Sequence, residues 1–227
     1  MDLSDGLPYG APMAITAGTY DDLADCALVV IAAGANQKPG ESRLDLIGRN
    51  IAILRSILRE MTARPFGGIL LVVSNPVDVL TYAAWKLSGY PRSRVIGSGT
   101  VLDTGRLKQL MGERLGVDSR NVHAFIVGEH GDSEVAVWSG ASVSGMDLED
   151  FCRVRGRPLA AGEMEGLYRS VRDSAYEIIR RKGVTCYGIA MAVGRIAESI
   201  VKDQRAVLPV SVVLSGQYGL EGVALSI

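Results

Sequence analysis

Cysteine is scarce in this chain and scattered. Cys26, Cys152 and Cys186 are odd in number, far apart, and form no C-x-x-C pair. That argues against a disulfide framework or a zinc site and fits a reducing cytoplasm, the compartment expected here. Net charge is nearly absent as well. The 227 residues carry 24 basic and 25 acidic side chains, a formal charge of −1, so nothing draws the chain toward nucleic acid or an anionic membrane. No apolar run reaches the roughly 18 residues of a membrane span. The opening MDLSDGLPYG has neither the basic start nor the apolar stretch of a secretory leader. Internal repeats and low-complexity linkers are also lacking. So are a G-x-S-x-G elbow, a metal-spaced His/Cys/Asp cluster, a G-x-G-x-x-G turn and a Walker pattern. No nucleophilic triad and no metal are expected.

What remains is a globular composition with a real core: 48% hydrophobic and 22% charged residues. The apolar runs at 26–33 (CALVVIAA) and 69–73 (ILLVV) are bounded by turn residues, as strands buried on both faces are. Between them Leu44, Ile47, Ile51, Leu54, Leu58 and Met61 recur at alternating spacings of three and four, which predicts one helical face. Strand, helix, strand implies a βαβ unit and a parallel sheet. Further helices are expected from about Asp78 to Ser88, from Thr100 to Leu115, from about Glu163 with Leu167, Val171, Ala175 and Ile178 inward, and from Gly188 to Val201. Strands are expected at Val95–Ile96, 123–127 and 207–214, with a last turn and strand in SGQYGLEGVALSI.

With only two histidines, His123 and His130, position is informative. His130 lies in GEHGDSE just past an expected strand, and a group titrating near neutrality can both give and take a proton there. Asp103 and Arg106 are three apart on one helical face. They form either a surface ion pair or two tools, a carboxylate that orients a base and a guanidinium that grips a substrate carboxylate. The segment 34–43, GANQKPGESR, is either a solvated loop or a lid carrying Gln37 and Arg43 onto a ligand. Asn75, at the carboxyl end of a strand where open α/β sheets bind ligands, could equally cap the next helix. Thr185, in KGVTCYG, is weak by itself.

Taken together, AAGANQKPGESRLDLIGRN, LLVVSNPVDVLTY, VIGSGTVLDTGRL, HAFIVGEHGDSE and KGVTCYGIA resemble, in order and spacing, the L-lactate dehydrogenase family of the lactate/malate dehydrogenase superfamily. The likeness covers almost the whole chain. It implies an α/β fold, with a Rossmann-like parallel sheet in residues 1–97 followed by an α+β substrate domain in residues 98–227. It implies NAD as cofactor and pyruvate or L-lactate as substrate in glycolytic or fermentative metabolism, with a homo-oligomer, dimer or tetramer, as the full-length form. His130 would be the proton donor and acceptor, Asp103 its partner, Arg106 the carboxylate anchor, and Arg43 the group polarising the reacting carbonyl. Gln37, Asn75 and Thr185 would complete the substrate pocket. Tyr20, Gly34, Ala35, Ser56, Val73, Ser74, Asn75 and Ser98 match positions that contact the dinucleotide.

Gln37 stands where malate dehydrogenases tend to carry arginine, which points to pyruvate rather than a dianion. Lys108 and His123 match an effector site for fructose 1,6-bisphosphate in bacterial relatives, with lysine in place of the usual arginine. Family members begin with a strand, the glycine-rich turn and a further strand. The chain starts after that βαβ unit and ends short of the family's C-terminal helix, so it reads as a fragment expected to be poorly stable and weak in NAD binding. The alternatives are a malate or other 2-hydroxy acid dehydrogenase, or an inactive fragment acting only as a subunit or interaction partner.

Overall fold

A computed structural model describes residues 2–35 and 43–227, with the side chains of residues 43–45 also outside the described set. A short helix α1 (Asp2–Asp5) leads to β1 (Leu28–Ile31), α2 (Arg43–Thr62), β2 (Ile69–Val72), α3 (Val77–Ser88) and β3 (Val95–Gly97). β1, β2 and β3 run parallel, in register from Leu28–Ile69 and Leu70–Val95. The expected βαβ order is therefore present, and it turns the carboxyl ends of all three strands to one edge. α2 begins at Arg43, as the spacing predicts. Its inward face buries Leu54, Leu58 and Met61 against Leu70, Val72, Leu80 and Val95.

The second half opens with α4 (Val101–Leu115), followed by β4 (Val122–His123), β5 (Ile126–Val127), β6 (Val135–Ala136), β7 (Ser142–Val143), β8 (Met146–Asp147) and α5 (Leu148–Val154). Then come α6 (Glu163–Lys182), α7 (Tyr187–Val201), β9 (Ser211–Ser215) and β10 (Glu221–Ser226). A separate core gathers Leu107, Met111 and Leu115 of α4, Val122, Ile126, Val143, Cys152 and Val171. α7 packs Ala192 and Ile196 back onto Leu71 of the first sheet. β9 and β10 join that sheet antiparallel, giving the order β1-β2-β3-β9-β10.

Three expectations change. The single strand at 123–127 is two strands in two sheets: β4 pairs with β7, while β5 pairs with β6. The strand at 207–214 begins only at Ser211, because Pro209 has no N–H to give a ladder. On α6 only Val171 of the expected inward set is fully buried, with Leu167, Ala175 and Ile178 half-buried. Among the described residues, no helix is long and apolar enough to cross a membrane.

The joint between the halves is tight. A Cβ at Gly97 would sit 2.2 Å from Thr81 Oγ1 and 2.9 Å from Ser211 Cβ. Gly99 has φ +52 and a Cβ there would sit 2.4 Å from Ser226 Oγ. Only glycine lets β3 turn into α4 this close to β9 and β10.

Candidate active site

α4 is fixed at its first turn by side chains. Thr100 Oγ1 donates to the Ile126 carbonyl at 2.5 Å, and the Ile126 N–H donates to Thr104 Oγ1 at 2.9 Å. α4 and β5 are thereby locked together, so residues one turn along α4 face the loop that leaves β5. That loop is pinned at its base, where Gly128 and Ser226 exchange two main-chain hydrogen bonds of 2.8 and 2.9 Å.

On this frame Asp103 points one oxygen at each of two partners. Its Oδ2 lies 2.6 Å from His130 Nδ1, and its Oδ1 accepts from Arg106 Nη1 at 2.9 Å. Asp103 is 3% exposed, Arg106 14% and His130 26%. A carboxylate this deep is tolerable only because both oxygens are satisfied by cations. Burial pulls the His130 imidazolium down, but the hydrogen bond and charge of Asp103, aided by Asp78 and Glu134, outweigh it and hold His130 above its ordinary value. With Nδ1–H given to Asp103, Nε2 is engaged by no hydrogen bond among the described residues. Asp103–Arg106 is thus not the exposed surface pair that the spacing alone allowed.

A second carboxylate, overlooked in the sequence, holds the same histidine by its main chain. Asp78, in the first turn of α3, accepts from the His130 N–H at 2.8 Å and from Ser211 Oγ at 2.6 Å. Burial pushes the Asp78 carboxyl up, against the pull of those two hydrogen bonds. An acid in the first turn of a helix at a strand's carboxyl end was the available signal.

Small residues and main-chain atoms make up the neighbouring edge. Ser98 N–H donates to Val72 O at 2.8 Å and Val73 N–H to Ile31 O at 2.9 Å. Ser74 Oγ donates to Ala33 O at 2.6 Å. Asn50, 3% exposed, clips two loops at once: it accepts from the Ala35 N–H at 2.7 Å and donates to Asn75 O at 2.8 Å. Asn50 was also missed, although it lies on the apolar face of α2 between Ile47 and Leu54, where a polar residue needs a reason. Asn75 does not cap α3, whose N-cap is Pro76, with no side-chain hydrogen bond. Gly34 faces Ser74, whose Cβ would lie 3.3 Å from an added Cβ.

Gly34, Ala35, Val73, Ser74, Asn75 and Ser98 thus line one carboxyl edge. Most of its side chains are small, and the carboxyl edge of an open α/β sheet is where such sheets take ligands.

The remaining expected site residues lie on other elements. Tyr20 opens a short 3-10 turn under Arg64, 5.7 Å from its ring centroid. Ser56 is exposed on α2 and donates to Ile53 O at 2.7 Å. Thr185 is half-buried in the link between α6 and α7. Lys108 is half-buried on α4 and His123 exposed on β4. Gln37 lies outside the described residues, as does the side chain of Arg43. Asp103, His130 and Glu134 bring one ligand-type atom each within 4.8 Å of one another, a spacing that could hold an ion. Both Asp103 oxygens, however, are already taken.

Residues 1–97 match the family model for the lactate/malate dehydrogenase NAD binding domain, and residues 100–227 that for the lactate/malate dehydrogenase alpha/beta C-terminal domain. L-Lactate dehydrogenase of Streptococcus thermophilus is 54% identical over 223 residues, covering 98% of this chain and 68% of the relative. That of Streptococcus sanguinis is 55% identical over 222 residues, covering 98% and 67%. A lactate dehydrogenase from a Medee basin deep-sea metagenome superposes with TM-score 0.95 at 48% identity, over 100% of this chain and 72% of that one. The minor L-lactate dehydrogenase of Enterococcus mundtii in its ligands-bound form gives 0.94 at 46%, over the same shares. With the His130–Asp103–Arg106 corner on one side and the small-residue strand edge on the other, the chain belongs to the lactate/malate dehydrogenase family.

Proposed function

We infer that the chain carries out L-lactate dehydrogenase chemistry, moving a hydride between NADH and pyruvate. The observation that carries this reading is the His130 Nδ1–Asp103 contact of 2.6 Å beside Arg106, with Nε2 left open. NAD, when bound, supplies or accepts the hydride at the substrate carbon. Everything else falls to the chain. Arg106 holds the substrate carboxylate through its guanidinium fork. His130 Nε2–H gives its proton to the oxygen of the forming alcohol, and Asp103, as a positioning residue, stabilises the imidazolium and fixes its tautomer. In the reverse direction neutral His130 takes the proton from lactate. Arg43, at the start of α2, stabilises charge growing on the carbonyl oxygen. Asn75 and Thr185 border the substrate. Tyr20, Gly34, Ala35, Ser56, Val73, Ser74, Asn75 and Ser98 hold the cofactor.

Residues 1–97 serve as the cofactor unit and 98–227 as the substrate unit, in a cytoplasmic homo-oligomer. Neutral Gln37 leaves a second substrate carboxylate unpaired, so pyruvate is preferred over oxaloacetate. NADH oxidation with each keto acid tests this. A higher kcat/KM for pyruvate is expected, and a preference for oxaloacetate would move the chain to malate chemistry. Turnover of neither would favour the role of subunit or interaction partner. Lys108 and His123 are assigned to a bisphosphate effector, and unchanged pyruvate affinity on adding fructose 1,6-bisphosphate would remove that assignment.

A further inference from the structure

Glu134 lies in the His130 loop, four residues beyond the histidine, and the reaction just described has no use for it. It is 5% exposed, and among the described residues its Oε1 has no hydrogen-bond partner. A buried carboxylate oxygen left without a donor is costly, and native structures keep such groups for a reason. Here the neighbours supply one. Glu134 sits within 4.8 Å of both Asp103 and His130, measured between their side-chain ligand atoms. Its main chain is held from the other side, where Tyr168 of α6 donates its hydroxyl to the Glu134 carbonyl. With its main chain fixed there, the buried side chain lies at the His130–Asp103 couple.

A metal ion is a poor explanation for this cluster. Asp103 already accepts from Arg106 and His130 through its two oxygens, and a guanidinium at 2.9 Å would repel a divalent cation.

We propose that Glu134 is a further positioning carboxyl at the His130–Asp103 couple, exchanging its proton in step with His130 so that Glu134 and His130 titrate as one unit. Ionised, Glu134 stabilises the imidazolium that must donate to pyruvate. Protonated, it releases that hold. This builds on the lactate dehydrogenase reading but concerns only what sets the acidity of its proton donor.

The electrostatics agree with the geometry. Burial pushes the Glu134 carboxyl up to about 7, and Asp103 adds to the rise. His130, Arg106 and Arg172 pull against it. The charged and titratable groups around the pair come from several elements: Asp78 from α3, Asp103 and Arg106 from α4, Tyr168 and Arg172 from α6. His130 and Glu134, both raised from their ordinary values, lie within 4.8 Å of each other, and titratable sites that interact this closely release their protons in coupled, macroscopic steps.

With only two histidines in the chain, imidazole NMR reads His130 directly, and His123 serves as an internal control. In the unsubstituted chain, His130 is expected to titrate in two steps, with the second matched by the Glu134 side-chain carboxyl signal near neutral pH. Glu134→Gln keeps size and polarity but removes the charge. It should lower the His130 midpoint by about 0.5–1 pH unit and leave His123 unmoved. Glu134→Asp should restore part of the shift, which a merely structural residue would not do. A single-step His130 curve with the same midpoint in Glu134→Gln, or a Glu134 carboxyl titrating in the ordinary carboxylate range, would overturn the proposal. The carboxyl titration needs no variant, so it decides even if Glu134→Gln does not fold. Because these readouts report protonation and not turnover, their failure would leave the dehydrogenase reading intact, and failure of that reading would leave them unchanged.

Discussion

The α4–His130 corner is built from buried charge, whereas the carboxyl edge of β1–β2–β3 is built from small residues and main-chain atoms. At the corner, two acids from different elements grip one histidine: Asp103 its ring and Asp78 its main-chain N–H. At the edge, the contacts are hydrogen bonds between neighbouring loops, with buried Asn50 as the main side-chain clip. The first arrangement raises the His130 imidazolium above its ordinary value and holds the Arg106 guanidinium in place. The second is held by the positions of its loops rather than by charge. Their sensitivities should therefore differ: the corner to charge, the edge to shape and loop position.

The largest effect should come from breaking the corner. Asp103→Asn leaves Arg106 and His130 without their shared anion, and kcat/KM for pyruvate should fall by about 10²–10⁴-fold. A loss under about tenfold in steady-state assays would deny Asp103 its role.

Next comes the buried carboxyl whose Oε1 accepts no hydrogen bond among the described residues. Glu134 holds its proton to about 7 in the fold, against 4.5 for an ordinary glutamate. Between those values the native state binds more protons than the unfolded one. Its contribution to stability is therefore full below about 4.5 and lost as pH rises through about 7. Glu134→Gln lacks that loss. Urea unfolding from pH 4.5 to 8 should show the variant gaining on the unsubstituted chain, by at most roughly 3 kcal/mol. A constant gap would show that folding does not raise the Glu134 carboxyl.

The edge offers the contrasting test. Asn50→Ala strips a partner from Ala35 N–H and from Asn75 O, and should lower stability by about 1–3 kcal/mol. It should weaken NADH binding, read by nicotinamide fluorescence, while leaving the His130 titration where it was. A shift of His130 in this variant would mean that the two regions are not separable.

The smallest effect belongs to Gly105, inside α4 with nothing within 4 Å of an added Cβ. Gly105→Ala should raise stability by about 0.5–1 kcal/mol in thermal or urea unfolding. A loss would mean that the open space beside α4 matters to its packing.

The parts of this molecule legible in its sequence were those with long-range pattern. The 3.6-residue period of α2, the valine-rich runs of β1 and β2, and the expected starts of α3 and α4 carry enough residues to be read one element at a time. β6, β7 and β8 hold two residues each and have no period to read. Their pairing depends on partners elsewhere in the chain. α5 was missed despite Asp147, which caps it by accepting from Glu149 N–H at 2.8 Å. The capping Asp147 is itself the second residue of β8, so no apolar run announced the helix.

The site divides in the same way. His130, Asp103 and Arg106 stood out by residue type and spacing, and the fold brings them together. Asp78, Asn50 and Glu134 act through contacts spanning many residues or through burial, and neither property is written locally. Asp78 meets Ser211 across 133 positions of chain.

The central claim is that His130, held charged by Asp103, is the group that gives and takes the proton. The most direct measurement is kcat/KM against pH in both directions, pyruvate reduction and lactate oxidation, for the unsubstituted chain and Asp103→Asn. The expected profiles mirror each other: reduction falls and oxidation rises over the same pH range, which lies above the ordinary imidazole value and drops in the variant. Profiles that move the same way in both directions, or a midpoint indifferent to Asp103, would contradict the account.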